Sequence, residues 1–264
     1  MIEIVATQGT VLARVQGARA DVVLNRPEAL NAMNNAMMSD IAEVFDLLAD
    51  RSGIWCATLS GAGDAFCVGA DQKERRGMSE EDVRRRRRLA PRAFTAMRRF
   101  PHPVIAKVHG HALGGGFELM LGCDLALLTH DASVGLIETS LGAIPGGGGT
   151  RALVTLIGPA RARELIFTSR RLSGREAESM GLAVAAVPAD DLDAHVEDLT
   201  QRVLANSPVA VTQAKKALLL VESGSYDDAL RIEAEHYERV LTSEDRLEAV
   251  AAAREGRRPQ FTGR

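Results

Sequence analysis

The sequence predicts an α/β fold that gives way to an all-helical C-terminal region. Three observations predict it. Up to about residue 190, short aliphatic runs alternate with segments whose apolar residues recur at helical spacing. Glycine and proline punctuate these segments as turns. Beyond 190 only helical spacing remains, over 191–205, 208–222, 226–240 and 243–254. The change of pattern places a boundary near 195, between a core of residues 1–195 and a helical region of residues 196–264.

Taken in order, residues 2–25 read as short strands separated by Gly9 and Gly17, and Arg26-Pro27-Glu28 forces a turn. Asn34 is placed to cap a helix whose Met37, Ile41, Val44, Phe45 and Leu48 share one face. Ile54 to Ser60 reads as a strand, followed by a Gly61–Asp64 turn. The polar segment 72–99 is helical in its second half. Val104 to Val108 is a strand, a glycine-led helix starts at 115, and a strand follows at 125–129. Leu153 to Ile157 and Arg161 to Phe167 read as helical. Ser173 with Glu176 fits a capping box, and Ala183 to Val187 is the last strand before Pro188.

The stretch from Pro103 to Thr150 holds the strongest chemical signal. Gly114, Gly115 and Gly116 precede a helical run in which Glu118 stands among Phe117, Leu119, Met120 and Leu121. A second acid, Glu138, lies in the apolar run Val134 to Leu141, and glycines 146–149 close the stretch. Burying a carboxylate is costly unless it is paired or protonated. Chains keep such groups mostly where a perturbed pKa is used. A glycine turn at a helix start can aim backbone N–H groups at an anion or a polarised oxygen, and Ala70, in Gly69-Ala70-Asp71, can supply a second such donor. Taken alone, each of these glycine stretches reads as a close-packed turn, and Glu118, projecting near the same helix start, is what gives the donor reading its weight.

Composition excludes several classes. The 46% hydrophobic and 25% charged fractions are those of an ordinary globular protein, and with only 4% aromatic residues the core must be aliphatic. A net charge of −3 gives no global reason to bind nucleic acid. The one basic run, 84–88, follows Glu80, Glu81 and Asp82, so i,i+4 ion pairs account for several of its arginines. One or two arginines are left to reach an anionic ligand. Cys56, Cys67 and Cys123 follow no metal-ligand spacing and read as reduced thiols of a cytoplasmic protein. His109 and His111 are expected to bond to backbone in their loop. The N-terminus reads as a strand rather than a signal peptide, and no apolar run approaches the roughly 18 residues of a membrane span.

The segments LNRPEALNAMN (24–34), FCVGADQKE (66–74), PVIAKVHGHALGGGFEL (103–119), GLIETSLGAIPGGGGT (135–150), ELIFTSRRLSGREAESMGL (164–182) and SEDRLEAVAAAREGRRPQF (243–261) occur in an order and spacing that resemble the enoyl-CoA hydratase/isomerase (crotonase) superfamily. The resemblance spans nearly the whole chain. It is closest to the hydratase branch and similar to methylglutaconyl-CoA hydratase-like members, one of which binds AU-rich RNA. It implies a crotonase-like α/β spiral of ββα repeats in residues 1–195. It makes residues 196–264 a helical trimerisation region, with a homotrimer or a dimer of trimers as the assembly.

The implied substrate is an acyl-CoA thioester, with coenzyme A as part of the substrate and neither a cofactor nor a metal. The implied catalytic residues are Glu118 and Glu138, with the N–H groups of Ala70 and Gly115 on the thioester oxygen. Arg26, Ala29, Leu30, Val68, Asp71, Lys73, Gly114, Gly146 and Arg257 are the implied substrate and CoA contacts. Glu28 and Gly256 stand where CoA-contacting lysines are common, and Gln72 replaces an apolar residue. The activity implied is hydration of a 2-enoyl-CoA in fatty-acid or branched-chain acyl-CoA metabolism. The rivals are an isomerase of the same superfamily, a methylglutaconyl-CoA hydratase with an RNA-binding side activity, an RNA-binding protein, and a non-catalytic acyl-CoA binder, against which the intact Glu118 and Glu138 argue.

Overall fold

The computed structural model describes residues 2–221 and 226–264; the side chains of Arg87, Val221 and Tyr226 lie outside the described residues. In chain order the elements are β1 (Ile2–Val5), β2 (Val11–Gln16), β3 (Arg19–Leu24), α1 (Asn35–Ala49), β4 (Cys56–Gly61), α2 (Gln72–Arg75) and α3 (Glu80–Arg99). Then come β5 (Val104–Val108), β6 (His111–Leu113), α4 (Gly115–Gly122), β7 (Leu125–Thr129), β8 (Ser133–Gly135), α5 (Gly149–Thr168) and β9 (Leu172–Ser173). The last are α6 (Gly174–Ser179), β10 (Ala185–Val187), α7 (Leu192–Leu204), α8 (Pro208–Val221), α9 (Tyr226–Leu241) and α10 (Glu244–Glu255).

The larger sheet has the order β1-β2-β3-β4-β5-β7-β10. Its first three strands pair antiparallel and the rest parallel. The smaller sheet is β6-β8-β9. Single parallel bridges extend the same layer, Cys67 with Ala112 and Met33 with Ala70. Each turn of the chain thus adds a strand to the large sheet, a short extended segment to the small layer, and then a helix. This is the spiral of ββα repeats that the resemblance implies.

The local reasons are visible. The Asn34 side chain accepts the Met37 N–H at 2.9 Å and starts α1, while Ser173 and Glu176 form a reciprocal capping box at α6. The two helical stretches expected around 153–167 form one span bent at Gly158, where φ is 78° ahead of Pro159. After Pro27 the chain carries two consecutive non-glycine residues at positive φ, Leu30 and Asn31. The buried Asn31 offsets this strain. Its oxygen accepts the Arg26 N–H at 2.9 Å, and its amide donates to the carbonyls of Ala62 and Ala65.

The main core is aliphatic, with Phe45, Phe66, Phe100 and Phe117 as its largest buried side chains. Helix α1 packs on α3, where the Phe45 and Phe100 rings meet edge to face at 5.8 Å. Such a pair contributes about 0.5–1.5 kcal/mol beyond burial. On the other face of the large sheet, Cys56, Ile105, Leu127 and Val187 are covered by Leu192 and Val196 of α7. The position near 195 therefore falls inside a helix that packs on the sheet. Helix α8 is fastened by the buried Lys215, which donates to the Asp124 carboxylate at 2.7 Å and the His102 carbonyl at 2.8 Å. Burial and the cations of Lys215 and Lys216 push the His102 ring down to a pKa of about 4, so it is neutral at its Thr212 contact.

Among the described residues no helix is long and apolar enough to cross a membrane. Nor does any cluster of His, Cys, Asp and Glu among them have the makings of a metal site.

Candidate active site

Glu118 lies in the first turn of α4 and is 4% exposed. Its carboxylate is solvated by main chain. Oε1 accepts the Gly147 N–H at 2.7 Å and the Gly149 N–H at 2.9 Å, and Oε2 accepts the Gly146 N–H at 3.4 Å. Gly149 is the first residue of α5, so the carboxylate also meets that helix's N-terminal end, where the dipole favours an anion. Burial raises the Glu118 pKa, and the three N–H donors oppose that rise. The approach of main chain to carboxylate is close. A Cβ on Gly147 would lie 2.5 Å from the Phe94 ring of α3, so the loop can pass between ring and carboxylate only without a side chain.

Glu138 opens a short 3₁₀ turn, Glu138–Leu141, and has the opposite environment. Its Oε2 is buried without a hydrogen-bond partner. Burial, with a further contribution from the Glu118 charge, raises its pKa to about 7 against the opposing backbone N–H groups of Glu138 and Ile137. The two carboxylates flank one dipeptide. A Cβ on Gly114 would lie 3.3 Å from Glu138 Oε1, and one on Gly115 would lie 4.0 Å from Glu118 Oε2.

The Gly115 N–H opens α4, in the turn whose donors a helix leaves without intrahelical acceptors. Ala70 comes beside it through Gly69. A Cβ on Gly69, where φ is 89°, would lie 2.6 Å from the Leu113 carbonyl oxygen and 3.2 Å from the Gly115 nitrogen. The Met33 N–H donates to the Gly69 carbonyl at 2.7 Å and the Asp71 N–H to the Met33 carbonyl at 3.0 Å. That ladder bypasses the Ala70 N–H. Two backbone donors and two carboxylates in unlike surroundings thus lie about a single turn, an arrangement suited to adding or removing a proton beside a polarised carbonyl.

The other expected contacts separate into groups. The Val68 N–H donates to the Leu30 carbonyl at 3.2 Å, which ties the segment of Ala29 and Leu30 to the one that leads into Gly69, and Lys73 lies exposed in α2. Arg26 donates to the Asp71 carboxylate at 3.0 Å and to the Ala32 carbonyl. Asp71 also accepts the N–H groups of Lys73 and Glu74 at the start of α2. Burial raises its pKa, but the Glu74 N–H and Arg26 outweigh that and leave it lowered. The Gly114 N–H donates to the Gly135 carbonyl at 2.8 Å, and the Gly146 N–H is spent on Glu118. Arg257 is not brought to this group. It is held by Glu248 and Glu255 at the end of α10, which Gly256 caps at a φ of 67°.

His109 bonds to the Gly63 carbonyl at 2.7 Å, as a loop residue. Within the basic run, Arg84 and Arg85 pair with Glu80 and Asp82, whereas Arg86 turns inward. Sequence reasoning missed Gly147 and Gly149 as holders of Glu118. Their only signal was the glycine cluster itself.

Residues 14–264 match the family model described as enoyl-CoA hydratase/isomerase. The chain is 41% identical over 249 residues to the mitochondrial enoyl-CoA hydratase domain-containing protein 2 of Bos taurus, across 92% of this chain and 84% of that protein. It is 33% identical over 249 residues to the short-chain-enoyl-CoA hydratase of Clostridium acetobutylicum, across 94% and 95%. Among solved structures, the enoyl-CoA hydratase from Bacillus anthracis superposes with a TM-score of 0.94 at 36% identity, across 97% of this chain and 100% of that one. Motif order, spiral topology and full-length likeness agree, and the chain belongs to the enoyl-CoA hydratase/isomerase family.

Proposed function

We propose that Glu118 and Glu138 together add water across the 2,3-double bond of an enoyl-CoA whose thioester oxygen accepts the Ala70 and Gly115 N–H groups. The observation that carries this reading is the contrast between the two carboxylates. Glu118 is set as an acceptor by three backbone donors, while Glu138, with an orphaned oxygen and a pKa of about 7, can carry a proton up to neutral pH. Two carboxylates in unlike surroundings can divide into base and acid.

Glu118 takes a proton from water as the oxygen bonds to C3. The π electrons move toward the thioester, where the two N–H groups stabilise the enolate charge. Glu138 gives its proton to C2. Oxidation and reduction cancel within the product, so the step needs no electron acceptor, and coenzyme A enters as part of the substrate. The loops 26–30 and 68–73 are assigned to the CoA moiety, with the exposed Lys73 ammonium as a phosphate partner. A contact from Arg257 requires release of its carboxylate pairs or the loops of a neighbouring copy. A short-chain substrate, as in the name of the Clostridium relative, and a reducing compartment such as the cytoplasm complete the proposal. The buried, unbridged Cys56 and Cys67 are consistent with the latter.

Hydration of a four-carbon 2-enoyl-CoA, followed by loss of the conjugated absorbance, tests this reading through its pH profile. The active pair carries one proton. Activity is therefore lost on the alkaline side as Glu138 ionises, and kcat/KM is expected to fall above about pH 7. Hydration and dehydration share one proton count, so both directions should show the same alkaline limb. A profile flat through that region, or an absence of hydration, would sink the reading.

The finer proposal for assembly is a homotrimer or a dimer of trimers. Val154, Leu156 and Phe167 on α5 and Leu218 on α8 leave large apolar side chains exposed, Phe167 at 74%, and a second copy would cover them. Sedimentation at micromolar concentration is expected to show the trimer or hexamer mass; a stable monomer would refute it.

A further inference from the structure

The proposed hydration step gives the buried Arg86 no task. Arg86 is the third residue of the arginine run and is 9% exposed, although its neighbours Arg84 and Arg85 lie on the surface. Its Nη2 donates to the Met33 carbonyl at 2.6 Å. Its Nη1 donates to Glu74 Oε2 at 2.5 Å and approaches Asn35 Oδ1 at 3.4 Å. Taking a guanidinium out of water is costly, and a single half-buried carboxylate offsets only part of that cost.

Met33 touches both proposed oxyanion donors. Its main chain bridges to Ala70, through Gly69 and Asp71. Its side-chain Cε occupies the space beside Gly115, 2.4 Å from where a Cβ on that glycine would lie. The Met33 carbonyl accepts the Asp71 N–H and the Arg86 guanidinium together. On the opposite side, Arg26 joins the Ala32 carbonyl to the Asp71 carboxylate. Glu74 closes the ring, because its carboxylate accepts both Arg86 and the Asn35 N–H at the start of α1. Two guanidiniums therefore staple the segment 32–33 to the segment 69–74, one at each end of the bridge that carries Ala70.

We infer that Arg86 is a positioning residue for the hydration step: its guanidinium fixes the Met33 main chain and thereby the register in which the Ala70 N–H faces the thioester oxygen. The inference rests on the reading of Ala70 and Gly115 as oxyanion donors. Arg86 touches neither substrate nor reacting atoms. A hydrogen-bond donor that drifts from the oxyanion position loses its selective hold on the transition state while ground-state binding through CoA persists. Loss of Arg86 should therefore act on kcat more than on KM.

The experiment compares the parent enzyme with Arg86→Met, Arg86→Lys and the surface control Arg85→Gln. Three quantities are read: kcat and KM for a four-carbon 2-enoyl-CoA per folded site, the melting temperature, and the absorption maximum of a bound aryl-enoyl-CoA chromophore. That maximum moves to longer wavelength as its thioester carbonyl is polarised. Arg86→Met is expected to lose about 10- to 100-fold in kcat, part of the 10²–10³ that one oxyanion donor supplies, with KM within about threefold and most of the spectral shift gone. Arg86→Lys, which keeps a cation and a single donor, should recover part of both, and Arg85→Gln should match the parent. A purely structural role would lower the melting temperature yet leave kcat per folded site and the spectral shift at parent values, and that result overturns the inference. If the Met form does not fold, the Lys form alone decides, by the same two readouts. An inactive parent would overturn the oxyanion reading itself, whereas an active parent with unaffected variants overturns only the role of Arg86.

Discussion

Glu118→Gln and Glu138→Gln are each expected to slow hydration by about 10²–10⁴-fold while leaving substrate affinity nearly unchanged. Glutamine keeps the size of the side chain but neither accepts a proton from water nor delivers one to carbon. The two changes should differ in character. At position 118 the new amide would set an NH₂ group or a weaker carbonyl acceptor against the N–H groups of Gly147 and Gly149, so the loop 146–149 should loosen as well. At position 138 Oε2 has no partner to lose and only the local N–H groups of Ile137 and Glu138 face the carboxylate, so the stability loss should be smaller and the alkaline limb near pH 7 should vanish. The double variant should cost far less than the product of the singles, because groups acting in one step are not additive. Near-normal hydration by Glu138→Gln would defeat the two-carboxylate mechanism. Double-bond migration that survives one of the substitutions, in a parent that hydrates negligibly, would favour the isomerase reading.

Gly69→Ala should lower kcat by about 10²–10³-fold, the worth of one oxyanion donor, in a protein that still folds. The added Cβ would stand 2.6 Å from the Leu113 carbonyl oxygen, so the Leu113–Gly115 segment must move and carry the Gly115 N–H with it. Holding alanine at a φ of 89° adds strain of about 1–3 kcal/mol, within a typical total stability of about 5–15 kcal/mol. Gly17→Ala is the matched control. It also requires positive φ, at 58°, but nothing lies within 4 Å of its Cβ. It should lose only the stability that positive φ costs an alanine, and no activity. A folded Gly69→Ala enzyme with parental kcat would show that the donors do not depend on this contact.

Much of the site was legible because its parts are close in sequence. A glycine turn, a helix start and Glu118 fall within five residues, 114–118, and burial of that helix follows from the apolar residues around the acid. The hold on Glu118 by Gly147 and Gly149 was not legible. It is made by backbone N–H groups 29 and 31 positions away, and such groups leave no side-chain signature. The short strands β6, β8 and β9 were missed for a related reason: two or three residues carry no periodicity, and their neighbours supply the ladder. Arg86 did leave a trace. Residues 86, 93 and 97 share the buried face of α3 at helical spacing, which five consecutive identical side chains conceal. Arg257 shows the reverse. Its position matched an expected contact, but nearby carboxylates engage it first.

The main-chain solvation of Glu118 has a consequence for the barrier itself. In water, a carboxylate that gains or loses a proton forces its hydration shell to turn, and that reorganisation is part of the activation free energy. Here the shell is three peptide N–H groups, one of them inside the first turn of a helix and one wedged against a phenyl ring. Covalent connection prevents those dipoles from following the charge. In the step proposed for Glu118, the dipoles that face the carboxylate are thus fixed before substrate arrives, and the transfer requires little solvent motion.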